Sequence, residues 1–186
     1  VQQYFFYNDK DGIASFNNFL GQYNNQSNWK IEDKGTYVLI SSSKGKRKME
    51  IYANKPDKED EGPEDIAKEF KSKKLTSVVI VHRGHSYHVE KTIKRIPKIA
   101  RIVSLGSCGG YNNLAAVLEK APNAHILSTK GTGTMVINDP LFKMTNQDIL
   151  EGKDINWKSI WQRAEKNPRI KNNKNWKYYV RPDKNI

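Results

Sequence analysis

Two short apolar runs constrain this chain more than any other feature. Ser77-Val78-Val79-Ile80-Val81 and Ile102-Val103-Ser104-Leu105 are continuous rather than alternating in hydropathy. Each spills directly into a polar loop containing glycine, His82-Arg83-Gly84-His85-Ser86-Tyr87-His88 after the first and Gly106-Ser107-Cys108-Gly109-Gly110 after the second. A strand that is apolar on both faces needs cover on both faces, which is the condition of a central strand in a parallel sheet lying between helices. A third short run, Ile126-Leu127-Ser128, follows a stretch from Tyr111 to Lys120 in which Leu114, Val117 and Leu118 recur at helical spacing. The expected fold class is therefore α/β, a three-layer α/β/α sandwich with a mostly parallel central sheet.

The flanking sequence fits this frame. Tyr4-Phe5-Phe6-Tyr7 reads as a buried strand stopped by Asn8-Asp9-Lys10-Asp11-Gly12, and Ile13, Phe16, Phe19 and Leu20 mark a helix behind it. Residues 36–41 and 48–53 read as two strands joined through Ser42-Ser43-Lys44-Gly45-Lys46, a pair suited to a sheet edge. Residues 54–65 carry Asp57, Glu59, Asp60, Glu61, Glu64 and Asp65 among Pro56, Gly62 and Pro63, and read as an acidic linker-like loop. A helix is expected from Pro63 to a Lys-rich end at Lys71, Lys73 and Lys74, a charge order that complements the helix dipole. Another is expected between Asp154 and Lys166, followed by a basic, aromatic tail over residues 168–186 of which only the last few are loose. A length of 186 suits one domain spanning residues 1–186. No apolar run approaches the ~18 residues a membrane span needs. No signal segment precedes Val1, so the compartment is open, a secreted or cell-envelope protein with its leader removed included.

The chemistry concentrates in the two glycine loops. Loops that leave the carboxyl ends of parallel strands converge on one edge of the sheet, the usual position of a site in this fold class. Three of the four histidines, His82, His85 and His88, occupy one loop, and the sole cysteine, Cys108, the other. One cysteine excludes an internal disulfide. At the head of a helix starting near Tyr111, its thiolate would be favoured by free backbone N–H groups, with any of the three histidines as base. His125, at the opposite end of its strand, reads as a structural or surface residue.

A hydrophobic strand ending in a glycine-histidine loop, followed by one ending in Gly-Ser-Cys-Gly-Gly, resembles the caspase, legumain and gingipain superfamily of cysteine peptidases, whose fold is the caspase-haemoglobinase α/β/α sandwich. The resemblance covers roughly residues 77 to 130. It implies a thiol protease in which Cys108 is the nucleophile and His85 its partner in a Cys-His dyad, with His82 the alternative histidine. It further implies oxyanion donation by the backbone N–H groups of Cys108 and Ser86, acyl transfer to the sulfur, and hydrolysis of a peptide or protein substrate. Asp9 and Asp11 become candidates for a basic substrate side chain as in gingipain-like members, and Arg83 for an acidic one. Ser128 and Thr129, with Lys130, become the other wall of the cleft. No cofactor or metal is required on this reading, and activating or structural calcium has no support in the sequence.

Three readings compete with a peptidase. One is a catalytically inactive domain of the same caspase-like fold. A second is a metal site in which His82, His85 and His88 converge with Cys108 on zinc, although no HExxH is present. The third is nucleic-acid binding, prompted by 32 Lys plus Arg against 20 Asp plus Glu and a net charge of +12, with residues 44–48 and the 171–177 region around Trp176 as contacts. The lysines are spread through the chain, so this reading is not favoured. Gly131-Thr132-Gly133 lacks the ending of a P-loop.

Overall fold

The computed structural model describes residues 1–184. In chain order it contains β1 (Gln2–Phe6), α1 (Lys10–Gly21), β2 (Trp29–Asp33), β3 (Tyr37–Ser42), β4 (Glu50–Asn54), α2 (Glu61–Lys73), β5 (Val79–Arg83), α3 (Val89–Ile93), β6 (Ile102–Leu105), α4 (Leu114–Lys120), β7 (His125–Thr129), α5 (Met135–Leu150), α6 (Trp157–Glu165), α7 (Pro168–Lys171) and β8 (Tyr179–Val180). The expectation of loose final residues falls partly on residues 185–186, outside those described.

The strands form one 8-stranded sheet in the order β2-β3-β4-β1-β5-β6-β7-β8. The run β4-β1-β5-β6-β7 is parallel, while β2 and β3 at one side and β8 at the other are antiparallel. Helices cover both faces, so the chain is a three-layer α/β sandwich with a mixed, largely parallel sheet. Strands β5 and β6, which carry the two glycine loops, are direct parallel neighbours, Val79 opposite Ile102 and His82 opposite Leu105.

Alternation of side chains across the sheet explains the continuous apolar runs. Tyr4 and Phe6 point to the layer containing Phe16 and Phe19 of α1, Leu141 of α5 and Ile160 of α6. Phe5 and Tyr7 point the other way, with Ile80, Val103 and Ile126, onto Val89 and Ile93 of α3 and Val117 of α4. Each such aliphatic side chain, fully buried, contributes roughly 1.5–3 kcal/mol of transfer free energy. A third cluster joins Leu39 and Tyr52 to Ile66 of α2.

The expected hairpin is present as β3 and β4, but β2 lies outside it and forms the edge, and β4 pairs in parallel with β1. Residues 54–65 are more ordered than a linker: a 3-10 turn covers Pro56–Lys58, α2 starts at Glu61, and Pro56, Gly62 and Pro63 are buried. Glu59 accepts a 2.7 Å hydrogen bond from the Asn8 N–H, which ties this stretch to the loop after β1.

Candidate functional site

The loops after β1, β5 and β6 meet the first turn of α5 around a cleft of about 180 Å3, lined among others by Asp11, Arg83, His85, Ser107, Cys108 and Met135. Its wall on the α5 side is fixed by polar contacts. Asn138 donates to the Gly106 carbonyl at 3.0 Å and accepts from the Tyr179 hydroxyl at 3.0 Å, and that hydroxyl accepts from the Thr134 N–H. Burial pushes the Tyr179 phenol up to about 12, so it remains a protonated donor. Strand β8 and helix α5 thus position each other over the cleft.

Arg83, which lines the cleft, is held in an ion pair. Arg83 and Asp139 are both nearly inaccessible and lie 2.6 Å apart, and Arg83 also donates to the Ser15 hydroxyl at 3.1 Å. Asn18 donates to the other Asp139 oxygen. Burial raises the Asp139 carboxyl above its ordinary range and outweighs the opposing effect of the guanidinium. Arg83 therefore spends its charge inside the protein, and its expected contact with an acidic side chain has an intramolecular occupant.

The three histidines diverge. His82 is fully buried, with Nε2 3.3 Å from the His85 carbonyl and Nδ1 2.8 Å from the Thr92 hydroxyl. A carbonyl can only accept, so Nε2 carries the proton, Nδ1 accepts from Thr92, and the Thr92 oxygen accepts in turn from Tyr7 at 2.7 Å. Desolvation lowers the His82 pKa to about 4, which leaves the ring neutral. Both ring nitrogens are committed, so His82 is a brace for the His85 backbone. His88 stacks on Tyr7 at 4.4 Å with Nε2 3.5 Å from Asp9. His85 turns outward, stacked on Tyr87 with Nε2 3.5 Å from Asp11.

This geometry overturns the peptidase reading. Cys108 and His85 border the same cleft, but Cys108 is exposed and, among the described residues, its sulfur has no hydrogen-bond partner and no histidine beside it. The helix-dipole argument for a thiolate also fails. Gly109 turns at φ +62, a 3-10 turn covers Gly110–Asn113, and the α-helix starts only at Leu114, whereas the dipole acts within the first turn. Among the described residues Cys108 and His85 form no Cys-His dyad, so the thiol protease, hydrolase and gingipain-like reading that the resemblance implies has no support in the site geometry. The N–H groups of Cys108 and Ser86 have no dyad to serve, and Ser86 opens an exposed 3-10 turn.

The remaining candidates are placed as follows. Asp9 caps α1, accepting from Gly12 at 2.7 Å and from the His85 N–H at 3.0 Å. Burial opposes its ionisation, but these two backbone donors and the nearby His85 and His88 hold its carboxyl below the usual range. Asp11 stands exposed at the lip of the cleft. Ser128 and Thr129 are buried in β7, where the Thr129 hydroxyl accepts from the Gly131 N–H. Lys130 lies over the Tyr111 ring. His125 is exposed and accepts from the Trp157 indole. The zinc reading is corrected too: among the described residues no three His, Cys, Asp or Glu side chains are placed to hold a metal ion.

Sequence reasoning missed Ser107, Met135, Asn138 and Tyr179. Ser107 is 3% exposed, borders the cleft, and its hydroxyl has no partner among the described residues. Asn138 and Met135 belong to α5, a helix whose apolar pattern is broken by Pro140 and interior asparagines. Among the described residues no helix is long and apolar enough to cross a membrane. Comparison with protein-family models, with curated proteins and with solved structures finds no match to this chain.

Proposed function

We propose that the chain is a non-catalytic domain of the caspase-like type whose carboxyl-edge cleft recognises an extended peptide segment bearing apolar side chains. The observation that carries this reading is the distribution of exposed large apolar residues. Of the six among the described residues, Ile13, Tyr87, Met135, Val136 and Tyr178 belong to the segments that rim or adjoin the cleft, and only Ile99 lies at the other edge. Clustered apolar exposure at one rim marks an interaction surface. Ser107 borders the cleft, and its buried hydroxyl has no partner among the described residues. The adjacency of the histidine-loop and cysteine-loop strands supports the caspase-like assignment.

Fluorescence polarisation with labelled peptides of alternating apolar sequence tests the reading. Met135→Glu combined with Val136→Asp is expected to weaken binding by about tenfold or more, as for a small cluster of central interface residues. Carboxylates in the first turn of α5 suit the helix dipole, so this loss would not come from unfolding. C108A is expected to bind as wild type, and acyloxymethyl ketones bearing Lys, Arg or Asp are expected to leave Cys108 unmarked while iodoacetamide alkylates it. Labelling by such a ketone that H85A abolishes would overturn the non-catalytic assignment, and equal peptide binding by the Met135/Val136 variant would overturn the cleft.

A further inference from the structure

A second and larger cavity lies at the opposite edge of the sheet, where the parallel strands begin. It measures about 760 Å3, within the usual range for a small-molecule site, and none of its residues borders the cleft. Three segments wall it: the loop after α1, the tip between β3 and β4, and the end of α5 with the turn behind it.

These segments are fastened to one another through their backbones. Lys46 and Arg47 donate to the Leu150 carbonyl at 2.8 and 3.3 Å, and Ser43 donates to the Asn28 carbonyl at 2.8 Å. Gly45, at φ +126, lets the tip approach the end of α5, since a Cβ there would lie 3.0 Å from the Leu150 carbonyl oxygen. The walls are therefore held in place without any occupant.

The lining combines cations with an aromatic platform. Lys44, Lys46 and Lys143 face the cavity, and among the described residues none of them has a carboxylate partner. The one acid in the lining, Glu151, is paired with Lys153. Three unpaired ammonium groups around one concavity repel one another and raise its affinity for anions. Trp29 and Tyr23 stand edge to face, with centroids 4.8 Å apart, in the same wall, and Gln26 and Asn28 add amide donors and acceptors.

From this combination we infer that the amino-edge cavity is a binding site for a nucleoside phosphate, with the phosphates on Lys44, Lys46 and Lys143 and the base against Trp29. Inorganic phosphate would use the lysines but leave the aromatic wall idle. A nucleic-acid strand needs stacking platforms repeated along a track, whereas the wall offers one aromatic pair for one base.

Titration of the whole chain with adenosine diphosphate, followed by tryptophan fluorescence, tests the site. A saturable quench with half-saturation below ~1 mM is expected, since ionic hydrogen bonds and one stacked base suffice for that range. Lys44→Ala with Lys46→Ala should raise the half-saturation by about tenfold, the loss of one charge-assisted contact or more. Trp29→Phe should remove most of the quench while Trp157, Trp161 and Trp176 remain. Lys120→Ala, on α4, should change nothing. The inference is overturned if no saturable quench occurs, if the Lys44/Lys46 variant titrates as wild type, if inorganic phosphate competes as well as the nucleotide binds, or if an oligothymidylate binds far more tightly with steep salt dependence.

Discussion

The two edges of the sheet handle charge in opposite ways. At the carboxyl edge Arg83 is turned inward on Asp139 and Asp9 on backbone N–H groups. This edge also exposes large apolar side chains, Ile13, Tyr87, Met135 and Val136. At the amino edge Lys44, Lys46 and Lys143 have no carboxylate partner among the described residues, around a cavity whose aromatic residues belong to its wall. A net charge of +12 is therefore uninformative as a sum, because Arg83 at one edge is tied into the fold while Lys44, Lys46 and Lys143 at the other have no carboxylate partner among the described residues. The comparison predicts that charge removal should damage the fold at the carboxyl edge and leave it intact at the amino edge.

The largest effect is expected at Arg83. Replacing it by Ala strands the Asp139 carboxylate in a buried site, a change that typically costs ~3–5 kcal/mol. Arg83→Met with Asp139→Leu should recover most of that loss, because apolar replacement of the whole pair avoids the unpaired charge. Urea denaturation of the two variants measures both. A loss below ~1 kcal/mol for Arg83→Ala would put the pair in the class of surface ion pairs and dissolve the contrast between the edges.

Next in size is a pH effect from His82. Its folded pKa, about 4, lies below the ordinary 6.5, so the unfolded chain takes up a proton first as the solution is acidified. Stability is therefore complete above pH 6.5 and falls as the pH drops toward 4, by ~3 kcal/mol at 1.36 kcal/mol per pH unit. Asp9 and Glu59, both held below the usual carboxylate range, add losses of the same sign at lower pH, and Asp139, held above it, opposes them. His82→Gln keeps a neutral hydrogen-bonding side chain and should flatten the profile between pH 6.5 and 4. A variant profile parallel to the wild type would mean that His82 is not the neutral brace its contacts describe.

How much of this was legible in the sequence follows from the range of the interactions. The apolar runs of β1, β5 and β6 carry their own evidence of double-sided burial, so the parallel sheet and the meeting of two glycine loops at one edge could be read directly. Strand β2 could not, because Lys30, Glu32 and Asp33 mask its alternation and its pairing with β3 alone defines it. Helix α5 was hidden by Pro140, which removes one backbone donor from its middle, and by Asn138 and Asn146, whose partners Gly106 and Gln2 are far away in sequence. The dyad failed for the same reason. Its spacing is local, but what decides the direction of His85 is Asp9, Asp11 and the buried His82-Thr92-Tyr7 chain, contacts that no motif encodes.

A smaller loss is expected at Asp9. Asp9→Ala removes the N-cap of α1 together with the acceptor for the His85 N–H, and a lost cap costs ~0.5–2 kcal/mol. Asp9→Asn retains a side-chain oxygen for one of these donors and should recover part of the stability. Recovery by Asn with no recovery of peptide binding would show that the charge of Asp9, beyond its hydrogen bonds, shapes the cleft.

The smallest effect on the fold, and the sharpest test of the contrast, belongs to the amino edge. Lys44→Ala with Lys46→Ala removes two cations that have no carboxylate partner among the described residues, so no paired charge is stranded and some repulsion with Lys143 is relieved. The backbone bonds from Lys46 and Arg47 to Leu150 do not depend on those side chains. The urea midpoint is expected to stay in place or rise slightly, most visibly at low salt where the repulsion is least screened. A clear drop in the midpoint would mean that these lysines hold the tip to α5, and the amino edge would then use its charge as the carboxyl edge does.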